Sequence, residues 1–318
     1  MVTYGTNIHC SLLLLCALRV QEQNAKILYS VNRMPPKLHL LAADTIRRCL
    51  IADPGNLIIS ADFDQIELRV AAAYAGETSL IEAAKRGESL HKVAAVKLFG
   101  TEYSPDQYRY TKNVNFGWLY GGGPKTLSEQ AGIPFATAYK IIREYETQFP
   151  ALTAYKRREQ EAVLRSALSA QEYRAFKSLR SRMFNFRSDT PEGKTAQAIV
   201  KKELQRLCYR RHGYVTTDYG RRLLVDADKS YTAVNYIVQS TARDIMAEAL
   251  LRVMAHPKLS CTVLLPIHDE LLGQAPVSRA EVYARLYEQV MSTHFRGVPI
   301  TVSGKVYGES WGHGYATR

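Results

Sequence analysis

The stretch "NLIISADFDQIELRVAAAYAG", residues 56–76, decides the fold. Residues 57–61 are apolar or small and predict a short buried strand, while 65–75 carry apolar residues at helical spacing. At the junction stand Asp62 and Asp64, with Gln65 and Glu67 where the helix begins. A buried strand that runs into acid needs a reason.

The chain repeats the arrangement. "SCTVLLPIHDELLGQAP", residues 260–276, reads as two strands with His268, Asp269 and Glu270 at the turn between them. Taken alone, either aspartate is most simply a turn residue or a helix N-cap, because Asp suits both places for local reasons. Two in the same strand-end context ask for more. Mg²⁺ binds through one or two carboxylates and leaves its other positions to water and substrate phosphates. Two such ions about 3.5–4 Å apart clamp the attacking and leaving oxygens of an in-line phosphoryl displacement. Asp62 and Asp269 are candidates for that clamp.

A third stretch, "SPDQYRYTKNVNFGWLYGGG", predicts a helix with Ser104 as N-cap, Pro105 in the first turn and a glycine run as terminator. Arg109, Lys112, Phe116 and Tyr120 are spaced by three, four and four, which puts two cations and then two aromatics along one face. Cations suit phosphates and rings suit a base; for an isolated helix, aromatics in a core are the plainer reading. "GGGPKT" at 121–126 is not a phosphate loop, since Pro124 stands where GxxxxGK[ST] needs its second glycine and a helix precedes it.

Composition narrows the partners. At 318 residues the chain has a soft prior of about two domains. Its net charge of +12 points to a polyanion, because clustered Lys and Arg neutralise phosphates and release counterions. Residues 156–211 hold fifteen Lys and Arg against six Asp and Glu, and so carry most of that excess; a helical, solvent-facing stretch is expected. Its plain reading is a solvated face, but the one-sided sign favours phosphate contact. Five cysteines (Cys10, Cys16, Cys49, Cys208, Cys261) show no CxxC spacing, so neither a disulfide framework nor a zinc site is indicated, and a reducing cytoplasmic setting is expected. The apolar run "CSLLLLCALRV" is too short to span a bilayer, so no membrane is expected.

Together "DFDQIELR", "KNVNFGWLYG" and "IHDEL" resemble motifs A, B and C of family A DNA polymerases, in order. The resemblance runs from about Thr45 to Trp311 and includes "GYVTTDYGRRL" and "NYIVQSTARDI". It implies a mixed α/β (α+β) right-hand palm with an antiparallel sheet and an inserted helical fingers subdomain. It implies that Asp62, the Phe63 carbonyl and Asp269 ligate two Mg²⁺ ions, with Mn²⁺ as an alternative, and that Glu270 is secondary near the metals. Glu67, with Gln65 beside it, would be the steric gate against a ribose 2′-hydroxyl; Lys112 would bind the triphosphate and protonate the leaving pyrophosphate. Phe116 would pack on the incoming nucleotide, Tyr120 would close the pocket with Glu67, and His91 would touch the dNTP phosphates. Asn235, Gln239, His268, Arg221 and Arg222 are the implied contacts to primer-template DNA.

Departures are as specific. Relatives usually carry Arg four residues before the motif B lysine, where this chain has Tyr108; Arg109 follows one step on. Ser89 replaces a frequent Asp, and the family's upstream segment is eroded into "ILYSVNRMPPKLH", with Leu28 and His39 at its expected Arg and Gln. The basic stretch is longer than the corresponding connection in typical relatives. No room precedes Thr45 for a thumb or an exonuclease domain, so the reading is a poorly patterned segment 1–44, palm 45–77, fingers 78–212 and palm 213–318, in a prokaryotic or phage-infected cell, with a separate chain as candidate supplier of thumb or clamp. The expected activity is template-directed addition of dNMP from dNTPs. The alternatives are a non-catalytic remnant that only binds nucleic acid and, more weakly, a single-subunit RNA polymerase.

Overall fold

The computed structural model describes residues 47–186, 190–259 and 262–315. The expectations for residues 1–44, Leu28 and His39 among them, and for Cys10, Cys16 and Cys261 lie outside the described residues. Along the chain come β1 (Asn56–Phe63), α1 (Ile66–Ala75), α2 (Thr78–Lys85), α3 (Leu90–Phe99), α4 (Pro105–Leu119), α5 (Pro124–Ala131), α6 (Phe135–Gln148), α7 (Pro150–Ala167), α8 (Ala170–Asn185) and α9 (Pro191–Cys208). Then follow β2 (His212–Thr216), β3 (Arg222–Asp226), α10 (Ala233–Ala255), β4 (Val263–Ile267), β5 (Glu270–Pro276), α11 (Ala280–Met291), β6 (Thr293–Phe295), β7 (Val298–Ile300) and β8 (Val302–Gly308). The fold is mixed, helices with antiparallel sheet, as the sequence led us to expect.

Two compact units form. A sheet unit takes the described residues up to Asp64, Met246–Thr293 and those from Thr301 onward; a helical unit takes Gln65–Ile245 and His294–Ile300. In the sheet unit the strand order is β4-β5-β1-β8, and β1 pairs antiparallel with both neighbours. The strand runs to Phe63, beyond the 57–61 that apolar residues alone predict, because pairing on both sides carries the ladder through Asp62. Ile58, Ile59, Ala61 and Phe63 are buried, and α11 packs on β1 and β8 with Tyr287 and Met291 in the core. Two glycines permit that approach: a Cβ on Gly304 would overlap the Ala284 carbonyl of α11, and one on Gly273 would overlap the Tyr287 hydroxyl. β4 lies at an edge, half-buried throughout, and contains Pro266.

In the helical unit, α4 begins as the sequence predicts. Ser104 accepts from the Gln107 amide while Gln107 reaches back to the Ser104 amide, a capping box, with Pro105 at the first position. Thr111, Val114, Asn115, Trp118 and Leu119 form its buried stripe. Trp118 meets Tyr145 at 5.5 Å, and Tyr145 meets Phe149 at 4.8 Å between ring centroids. Glu77, itself buried, accepts from the amides of Ala151 and Leu152 at the start of α7. Those amides have no partner inside the helix, so a carboxylate there satisfies them and meets the positive end of the helix dipole. Lys156 of α7 donates to the Trp118 carbonyl at 2.7 Å and lies 4.0 Å over the Trp118 ring, closing the last turn of α4. Among the described residues no helix is long and apolar enough to cross a membrane.

Candidate active site

The sheet unit gathers acid. In the β1–β5 register Asp62 stands opposite Glu270, and the Phe63 amide donates to the Asp269 carbonyl at 3.0 Å. His268 and Asp269 make the two-residue turn between β4 and β5, with His268 exposed and in a left-handed backbone at φ 55°. Such a backbone is uncommon for a residue with a side chain and tends to persist where neighbouring structure imposes it. Glu270, expected at the turn, is instead the first residue of β5 and only 7% exposed. Its Oε1 accepts from Ser60 Oγ at 2.5 Å and from the Tyr307 hydroxyl at 3.0 Å.

Those partners make the three acids unequal. Asp62 is pushed up to about 7, first by burial, then by repulsion from Asp269 and Glu270, with Lys305 opposing. Burial also raises Asp269, while its own amide and His268 pull the other way. Asp64, two residues from Asp62, is a different case: Thr301 and Ser303 hydroxyls donate to its carboxylate at 2.9 and 2.7 Å, and its amide donates to the Thr301 carbonyl. Sequence reading singled out neither Ser60 nor Tyr307. Ser60 carried a signal, since it is two residues from Asp62 and therefore on the same face of the strand. Tyr307 carried none, because the pairing of β1 with β8 cannot be read locally.

In the helical unit Gln65 adopts φ 53° and spans to α3, its Nε2 donating to Ser89 Oγ at 3.3 Å and its Oε1 accepting from the His91 amide at 3.2 Å. Glu67, half-buried in the first turn of α1, accepts from the Tyr120 hydroxyl at 2.5 Å. Phe116 is half-buried and Tyr120 is 38% exposed, so neither belongs to the buried stripe of α4 and the core reading of this face fails. Their rings lie 6.4 Å apart, and Phe116 lies 5.3 Å from the His91 ring. His91 is buried, with Asn115 at 2.7 Å from its Nδ1; burial first and Lys112 second lower it to about 4, so it is neutral at neutral pH. Lys112 is exposed and lies 4.7 Å over the Tyr108 ring. Arg109 is exposed and paired with Asp106 at 2.9 Å.

The remaining predicted residues sit elsewhere in this unit. Arg221 pairs with Asp244 at 2.5 Å and Arg222 lies 4.3 Å over the Tyr214 ring, both exposed. On α10, Gln239 is exposed, while Asn235 is half-buried and its Oδ1 has no partner among the described residues.

The sequence signature of DNA polymerase family A matches residues 38–313. This chain belongs to that family. It is 32% identical over 283 residues to the DNA polymerase of Mycobacterium phage D29, and 31% identical over 281 residues to the thermostable DNA polymerase I of Thermus aquaticus. These matches cover 88% and 84% of this chain but 39% and 28% of the relatives, so the chain spans about two fifths of the phage enzyme's length. The polymerase domain of Pol1 from M. smegmatis, solved with DNA primer-template and dNTP, shares the fold with a TM-score of 0.62 at 23% identity, over 86% of this chain and 43% of that one.

Family A polymerases are metal-dependent enzymes, and the donor set here suits a hard cation. Among the described residues no cluster of three or more His, Cys, Asp or Glu forms a full cage. A half-buried aspartate pair, with burial and mutual repulsion both raising Asp62, is instead the environment that a divalent ion relieves while keeping positions open for water and phosphate.

Proposed function

We propose that this chain catalyses template-directed transfer of dNMP from dNTPs to a primer 3′-hydroxyl. The observation that carries the reading is the convergence of Asp62 and Asp269 at adjoining strand ends, held by the β1–β5 pairing with their charges left against one another. Asp62, Asp269 and the Phe63 carbonyl would hold the metal, as a pair of Mg²⁺ ions. When bound, such ions stabilise charge on the transferring phosphoryl oxygens and on the attacking and leaving oxygens. Lys112 supplies an exposed ammonium to the triphosphate, and its Nζ is the proton source for the departing pyrophosphate. His91 is kept neutral, so it meets phosphate oxygens as a hydrogen-bond donor rather than as a cation. Phe116 and Tyr120 present ring faces to the incoming nucleotide, and Tyr120 braces Glu67 as the gate against a 2′-hydroxyl.

Residues 45–77 and 213–318 are read as palm and 78–212 as fingers, a division by motif that differs from that of the compact units, which part at Asp64 and Ile245. Asn235 and Gln239 are read as minor-groove contacts, and His268, Arg221 and Arg222 as primer-template contacts. The cell compartment that fits is the cytoplasm.

The test is single-turnover extension of a labelled primer-template with all four dNTPs and Mg²⁺, beside an Asp62→Ala, Asp269→Ala double variant as control. Extension by the wild type alone supports the reading. Binding without any addition above the control would turn it into the remnant reading.

A further inference from the structure

Helices α7 and α8 enclose a cleft of about 340 Å³ that none of the motifs uses. Leu164, Tyr173 and Phe176 line its apolar part; Leu164 belongs to a buried cluster with Leu168 and Cys208, and the two rings pack partly against that cluster. Arg157, Lys177 and Arg180 line its rim and are exposed. Charge around the cleft is not balanced. Glu159 is paired with Arg158, and Glu172 with Arg211. Glu161, inside the cleft, accepts from Arg165 at 2.7 Å and from the Tyr173 hydroxyl. The nearby acids are thus hydrogen-bonded to other groups; Lys177 acts on Glu161 only through space, and among the described residues the three rim cations make no direct ion pair. Arg165 lies 4.8 Å over the Tyr173 ring and Lys177 lies 5.9 Å from it, so positive charge is held beside an aromatic surface.

A merely solvated basic face would have its cations on a convex polar surface. A recess of this size, with an apolar floor and an unpaired cationic rim, has the features that hold unpaired nucleotides: rings for bases and cations for the phosphates between them. A duplex keeps its bases stacked inside and could offer the rim only phosphates. We infer that the α7–α8 cleft binds single-stranded DNA, and that its occupant is the unpaired template overhang. The choice of template rests on the polymerase reading above, because the template ahead of the primer is the one single strand that every turnover presents.

The experiment measures binding of the full chain to primer-templates without nucleotide, so it is read independently of catalysis. Duplexes carry a template overhang of either one nucleotide or about a dozen, and a further duplex carries a displaced downstream flap. The variants are Arg157→Ala/Lys177→Ala/Arg180→Ala and, as an equal-charge control, Lys194→Ala/Lys201→Ala/Lys202→Ala on exposed positions of α9. For the cleft variant, the slope of log affinity against log salt should shrink by about 2 on the long overhang, at roughly 0.7 for each single-strand phosphate that is no longer neutralised, and stay unchanged on the short one. The α9 variant should leave the difference between long and short overhangs intact. An equal loss on both overhangs would overturn the inference in favour of general electrostatic attraction. So would an effect confined to the flap, or no effect at all with both variants folded by circular dichroism. Failure of the polymerase reading appears elsewhere, as absence of extension by the wild type.

Discussion

Ionisable groups are buried in both units, and they are treated in opposite ways. In the sheet unit Asp62 and Asp269 repel one another and Glu270, and Asp62 rises to about 7. In the helical unit three buried groups are matched to partners: Glu77 holds the start of α7, Lys156 holds the end of α4, and His91 is neutral against Asn115. Burying like charges together opposes folding, so such a cluster persists where something outside the chain will compensate it. Partnered charges need no such outside agent. On the function proposed above, the difference separates residues kept for chemistry from residues kept for architecture.

The strongest challenge to that division is removal of the acids. Asp62→Ala or Asp269→Ala should lower single-turnover primer extension about a hundredfold or more, since metal charge stabilisation is worth several kcal/mol and each 1.36 kcal/mol is tenfold. The division also requires that Asp62→Asn melt no lower than the wild type in metal-free buffer, because it removes a repelled, desolvated charge. A large loss of melting temperature would make the cluster architectural after all. Glu77→Ala should show the converse. It strands two amides of α7 and should cost about 1–3 kcal/mol in urea unfolding, with extension per folded molecule unchanged.

Glu67 is where the division is most easily broken, because it is partnered by Tyr120 and yet assigned to sugar selection. Glu67→Ala should reduce discrimination against ribonucleotides by about tenfold, the scale of one hydrogen-bonded contact; unchanged discrimination would return it to architecture. The smallest effect concerns Lys156, which burial lowers to about 8 against a weaker opposing influence from Glu146. A lysine that loses its proton earlier in the folded chain than in the unfolded one makes the unfolded state the better proton binder between those pKa values. Stability should therefore rise as pH increases from about 8 to about 10, and Lys156→Met should flatten that rise in denaturant titrations at the two pH values.

Local pattern carried much of this. The acids at strand ends, the Ser104–Pro105 helix start and the glycine that closes α3 at Gly100 are all decided within a few residues, where capping and turn chemistry act. Whether Phe116 and Tyr120 faced a core or the open was undecidable from spacing, because one helix face reads alike in both cases; the buried stripe on Val114 and Trp118 settled it. Long-range pairing was invisible. Ser60 and Tyr307 meet at Glu270 only because β1 lies between β5 and β8, and register between strands over two hundred residues apart leaves no local trace. The α7–α8 cleft was hidden likewise: the charge excess was countable, but not which cations lacked acids.

Pro266 has a consequence for handling the protein. Among the described residues β4, "VLLPI", is an edge strand of apolar residues, the kind of segment that recruits further strands from neighbouring molecules. Proline has no amide hydrogen to donate, so the outer rim of this strand offers an incomplete ladder to any incoming chain. The same residue that looks like a flaw in the strand acts as a guard against fibril growth and precipitation at high concentration. Engineering for a more regular sheet should leave it alone.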